Sequence, residues 1–196
     1  MLMLMLAAAA SGGLKVDPDS GNNKFDAKFD APLGEMIVAT SSRVACDVSY
    51  QGGSASGTCS VPLTSIMVDN EPTKTEHFQQ WVTNKKVDAK KCSLEAKFEK
   101  IPLVIPGSFA GDAAFSICGK PGTEKVTGTA MRLADGRVRI RARVEHFSRD
   151  KYKVGPKYTE GWLARVEQLA PVVAEEGTIE IALFAKPVET KSARKP

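Results

Sequence analysis

Histidine occurs only twice in the 196 residues, at His77 and His146, and aromatic residues make up 7% of the chain. So little histidine leaves few catalytic or metal-ligating constellations to assemble. There is no G-x-S-x-G elbow, Walker loop, dinucleotide fingerprint or H-E-x-x-H pair, and no C-x-x-C pair of the kind that holds zinc. An excess of one charge is also missing. The 27 Lys and Arg stand against 23 Asp and Glu, a net +4 too mild for a nucleic-acid binder. Beyond residue 10 no apolar run approaches the ~20 residues that cross a bilayer as a helix. What is present is 42% hydrophobic residues with Gly 16 and Pro 11 as turn punctuation, the composition of one globular domain and not of a disordered chain.

Met1 to Ala10 form an apolar run of signal-core length, and Ala8 and Ala10 before Ser11-Gly12-Gly13 fit an A-x-A cleavage pattern. No Lys or Arg precedes the run, and the competing reading is a buried N-terminal helix; the cleavage-site residues favour export. The cysteines favour it independently. Cys46 and Cys59 are equidistant from Gly52-Gly53, so a two-residue hairpin turn there sets Cys46 opposite Cys59, Val48 opposite Gly57 and Tyr50 opposite Ala55. Val44 and Val61 share that apolar face, while Asp47, Thr58, Ser49 and Ser56 share the polar one. Cys92 and Cys118 repeat the arrangement around a wider turn, Pro102 to Pro106. Of three connectivities this arithmetic favours 46–59 with 92–118, against reduced buried cysteines or a zinc site.

Most of the chain alternates with period two. Val138, Ile140, Ala142 and Val144 share one face of a strand whose other face is Arg137, Arg139, Arg141 and Arg143. Ile179, Ile181, Leu183 and Ala185 alternate in the same way with Thr178, Glu180, Ala182 and Phe184. Further strands are expected over 24–30, 35–40, 43–50, 55–62, 93–101, 109–118 and 124–134, the last turning at Asp135-Gly136. Helical spacing is confined to 72–84, with Phe78, Trp81 and Val82 near one face, and to 160–169. The expected fold is a single all-β domain of eight or so antiparallel strands with two short helices, curled into a barrel or a sandwich. Residues 1–13 are read as the leader, 14–187 as the barrel domain and 188–196 as a polar basic tail.

Capping or packing is the favoured role for both histidines, and no catalytic residue is assigned. The arginine stripe is read as a solvated outer face, with Glu95, Glu99 and Asp112 as counter-charges; the competing reading has it attract anionic headgroups or acidic partners. With the arginines outward, the aliphatic face of that strand points in. Small residues expected at inward positions, Gly57, Ala96, Ala114 and Ala142, favour a cavity over a solid core.

Several segments resemble the YceI-like family of exported, lipocalin-like barrels. Lys74-Thr75-Glu76-His77-Phe78 is similar to that family's R-D-x-H-L element, keeping the histidine. Ser65-Ile66-Met67-Val68-Asp69 resembles the strand before it, and residues 87–98 resemble the F-D-V…P-x-I-x-F stretch with Cys92 near the usual Pro. Ser116-Ile117-Cys118-Gly119 with Lys120-Pro121 resembles the strand end before the T-K-P turn. His146-Phe147-Ser148-Arg149-Asp150-Lys151-Tyr152 resembles F-x-I-x-R-x-D-F-G. The resemblance spans roughly residues 16–187. It implies an all-β fold, an antiparallel eight-stranded lipocalin-like barrel with one or two short helices at the mouth, around a long apolar tunnel that holds a polyisoprenoid or quinone-like lipid, with no catalytic residues and no cofactor.

The expected lining is Val44, Val48, Tyr50, Val61, Phe98, Val138, Ile140, Ala142, Val144, Ile179, Ile181 and Leu183, with Phe78 and Trp81 closing one mouth. The expected protein is periplasmic or secreted and not an enzyme. Its partner is a long-chain isoprenoid or similar lipid, with transient membrane-surface contact and no nucleic acid or metal. The alternative is an envelope interaction or stress module, without a ligand, acting through its outer basic face.

Overall fold

Gly52 and Gly53 both take positive φ, 60° and 77°, the backbone of a two-residue turn whose twist matches its strands. They join β4 (Ala45–Gln51) to β5 (Ser54–Pro62) with Cys46 opposite Cys59, Val48 opposite Gly57 and Tyr50 opposite Ala55. Cys46 and Cys59 form a disulfide, their Cα atoms 4.1 Å apart. A second tight turn at Cys118-Gly119, φ 50° and 78°, joins β8 (Gly107–Ile117) to β9 (Lys120–Arg132). Cys92, just ahead of β7 (Ser93–Pro102), is disulfide-bonded to Cys118 and ties the start of β7 to that turn.

A computed structural model describes residues 12–159 and 173–188. Its other strands are β1 (Gly12–Val16), β2 (Lys24–Asp30), β3 (Met36–Ser41), β6 (Met67–Val68), β10 (Val138–Ser148) and β11 (Glu176–Val188). Strands β1, β4, β5, β7, β8, β9, β10 and β11 are neighbours in that order, and β11 pairs back onto β1 to close an antiparallel barrel of eight strands. Closure leaves no edge among these eight. The other end of β11 pairs with β2, from which β3 and β6 extend. The buried Asn23 fills the gap where β11 changes partner. Its amide oxygen accepts from the Phe184 N–H at 3.1 Å, and its amide nitrogen donates to the Asp17 carbonyl at 2.8 Å.

Inward phenylalanines stand opposite inward glycines: Phe29 by Gly177, Phe98 by Gly57, Phe109 by Gly128 and Phe115 by Gly122. A ring lying across a neighbouring strand needs the missing side chain, and a Cβ at Gly128 or Gly177 would collide with the ring of Phe109 or Phe29. Helix α1 (Pro72–Thr83) begins with Pro in its first turn and ends at Asn84 in the left-handed conformation. It covers the barrel end where β7 begins and β8 ends, with Val82 1% exposed. A single turn, α2 (Pro156–Thr159), follows β10.

The strand at Gly12–Val16 is not among those expected, and it begins inside the segment read as leader. The helix expected over 160–169 lies outside the described residues. Ala114 is exposed and Ala113 is the inward residue, because Phe109, Gly111, Phe115 and Ile117 set the inward frame of β8. A register shift between Val144 and Phe147 turns Phe147 inward and leaves His146 exposed. The arginines do face outward, but their acidic partners are not Glu95, Glu99 and Asp112. Arg137 pairs with Asp135 at 2.7 Å, and Arg143 pairs with Glu145 at 3.0 Å and approaches Glu180 at 3.9 Å. Arg137 and Arg139 also lie over the Phe184 ring, 5.3 and 6.0 Å from its centre.

Candidate functional site

The inward side chains do not fill the barrel. A cavity of about 110 Å³ remains, and every side chain around it is apolar. Strand β10 contributes Ile140 and Ala142, β11 contributes Ile181 and Leu183, and Val48 and Phe98 complete the expected residues that border it. Rings of Phe109 and Phe115, the aliphatic groups of Val16, Ile101, Leu103 and Val126, small side chains at Ala55, Ala96 and Ala113, and the Cys46–Cys59 disulfide make up the rest. Of these, only Ala96 was expected at an inward position that leaves room for a cavity. Phe109 and Phe115 carried a readable signal, since treating Cys118-Gly119 as a two-residue turn places both opposite glycines.

Further toward α1 lies a second void of about 30 Å³, bordered by Phe78, Val82, Ile179 and the Phe29 and Phe147 rings. The two voids take successive inward positions of the same strands, Ala96 then Leu94 on β7, Phe115 then Ile117 on β8, and Ile181 then Ile179 on β11. They are therefore stacked along the barrel. Val44, Val61, Val138 and Val144 are buried in the core but border neither void, because inward alternation reports a face and not a depth. Tyr50 and Trp81 are half-buried against the core, likewise away from both voids.

Polar groups seal the α1 end. The Tyr152 hydroxyl, wholly buried, donates to Glu124 Oε1 at 2.6 Å, and Lys151 Nζ donates to the same oxygen at 2.8 Å. The Tyr152 ring stacks on Phe147, centres 5.3 Å apart, over Gly122, where a Cβ would strike it. Arg149 donates to the Val173 and Ala174 carbonyls at 2.6 and 2.9 Å, with its guanidinium 5.4 Å from the Phe29 ring centre. Burial first, and then the bond to Glu124, hold the Tyr152 phenol far above its ordinary pKa of 10.0. An unfolded tyrosine ionises near that value. The Tyr152 contribution is therefore complete below pH 10 and declines as the pH rises past it. Tyr152→Phe is expected to lower stability at pH 7 by about 2 kcal/mol. It should also flatten the fall in stability above pH 10; urea unfolding between pH 8 and 11 measures both.

His77 and His146 are exposed. Among the described residues no group of His, Cys, Asp and Glu is placed to hold a metal ion, and no helix is long and apolar enough to cross a membrane.

No family model matches the sequence, and no curated protein is detectably similar to it. Solved structures do match. A polyisoprenoid-binding domain from Saccharophagus degradans is 10% identical, with 90% of this chain and 99% of that one covered and a TM-score of 0.61. BcnA of Burkholderia cenocepacia is 14% identical over 87% of this chain and 99% of its own, TM-score 0.64. A YceI protein of Campylobacter jejuni matches at 13% identity over 76% and 82%, TM-score 0.46. At these identities the likeness to the first two is one of fold, and the chain has the lipocalin-like barrel that its resemblance to the YceI-like family implied.

Proposed function

We propose that this chain is an exported lipid-binding protein that holds a long apolar ligand, a polyisoprenoid or quinone-like chain, inside its barrel for carriage or sequestration. The observation that carries the reading is the cavity whose lining offers no hydrogen-bonding side chain. Such a site selects hydrocarbon, because a buried polar group there would have no partner. Binding comes from burial, about 0.8 kcal/mol for each CH₂ removed from water. A polar head group stays outside. The cavity, at about 110 Å³, is smaller than the ~150 Å³ space that admits a benzene, so a long chain enters by turning wall rings such as Phe109 and Phe115 aside.

The matched barrel from Saccharophagus degradans is described as polyisoprenoid-binding, which supports the same ligand class here. Two disulfides support a periplasmic or secreted location, since they persist in oxidising compartments. Loading and release would occur by transient contact with a membrane surface, and no reaction on the ligand is proposed. The test is whether the protein, purified without detergent, yields such a lipid to organic solvent.

A further inference from the structure

A wider concavity lies outside the barrel. A trough of about 540 Å³ runs over β9, β10, β11 and β2, within the ~300–1,000 Å³ range of ligand sites. It exists because long basic side chains stand beside short ones. Arg141 has Ala182 directly across on β11 and Thr129 across on β9, while Arg143 has Thr127. On the far side Lys24 lies opposite Ala182 on β2, with Lys28 further along the strand.

Four cations thus face two carboxylates within the trough, and a third, Glu145 beside it, pairs with Arg143 at 3.0 Å. Asp26 is buried and engaged by Lys24 at 2.7 Å and by the Thr40 hydroxyl at 2.8 Å. Glu180 is engaged by Lys28 at 2.6 Å. Arg141 has no ion pair or hydrogen bond among the described residues, and it is exposed on the lining of the trough. From β2 to β10 is two strand spacings, about 10 Å. Linked phosphates offer separate oxygens to donors on both walls. Arginine forks and lysines are the usual donors to such groups.

We propose that this trough binds a phosphate-bearing ligand of diphosphate size, with Arg141 as its central contact and Lys24 on the opposite wall. The site is separate from the apolar cavity and does not depend on it.

Titration calorimetry of the full protein with inorganic pyrophosphate, at low salt, tests it. Arg141→Gln is expected to weaken binding about tenfold, the loss of one charge-assisted pair of hydrogen bonds, and Ala182→Glu to abolish it. Arg132→Gln removes the same charge from an exposed position outside the trough and should leave affinity within about twofold. Co-flotation with phosphatidylglycerol vesicles, lost in Ala182→Glu, would identify a lipid headgroup as the natural source; pyrophosphate binding without co-flotation would identify a soluble phosphate. The proposal is overturned if the unaltered protein binds neither probe, or if Arg132→Gln weakens binding as much as Arg141→Gln does.

Discussion

A protein carrying Ala142→Phe is expected to fold, to form both disulfides and to retain no lipid. Ala142 borders the cavity from β10, with Gly128 opposite on β9 and Ile181 opposite on β11. Both neighbouring strands pair with β10 through this region, so a phenyl ring at 142 has to occupy the space of about 110 Å³ that the alanine leaves. Overpacking of this kind costs roughly 1–3 kcal/mol, less than the ~5–15 kcal/mol that holds a domain of this class together. The loss in binding is larger. Excluding only five CH₂ groups removes about 4 kcal/mol, close to a thousandfold in affinity. Lipid per mole of protein, measured beside a urea unfolding curve, separates the two effects. Lipid retained at the level of the unaltered protein, in a folded variant, would remove the cavity from the account.

Reducing both disulfides is expected to lower the unfolding free energy by about 6 kcal/mol in the loop-entropy model. Cys46–Cys59 closes a separation of 13 residues and Cys92–Cys118 one of 26, contributing roughly 3 and 3.5 kcal/mol. The first pins β4 to β5 beside the cavity, and the second fastens the start of β7 to the turn between β8 and β9. Their joint loss takes a large share of the stability of a domain this size, so the reduced protein should unfold at a much lower urea concentration. The Cys46→Ala, Cys59→Ala double variant should lose about half as much, as the shorter loop demands. Coincident urea curves with and without dithiothreitol would contradict this. They would mean that strand pairing and core packing alone hold the barrel.

How far these features could be read from sequence depended on whether the signal was local. The β4–β5 register follows from Gly52-Gly53 because a two-residue turn admits one pairing, and Cys46 and Cys59 confirm it at a distance of 13 positions. The arginine stripe oriented β10 for a similar reason, since four charges on one face leave only the other for the core. β8 was harder. Ala110 to Ala114 are all small or polar, so neither face is marked, and the frame is set by Phe109 and Phe115 meeting glycines on β9. β1 has five residues, and its place as the closing strand depends on β4 and on the far end of β11, neither of which its own composition announces. The counter-charges of the arginines are long-range in the same way. Glu180 meets Arg143 only through the pairing of β10 with β11. Depth along the barrel was the property least visible: Val138 and Ile140 share a face, yet Val138 is packed at the start of its strand, away from α1, and Ile140 borders the cavity.

Mass spectrometry of an organic extract tests the central claim most directly. The protein would be expressed with its full chain into an oxidising envelope, purified without detergent, and extracted beside the Ala142→Phe variant prepared in the same way. The account predicts about one long-chain isoprenoid or quinone-like lipid per molecule of the unaltered protein and almost none from the variant. An extract no richer in lipid than that of the variant would contradict it.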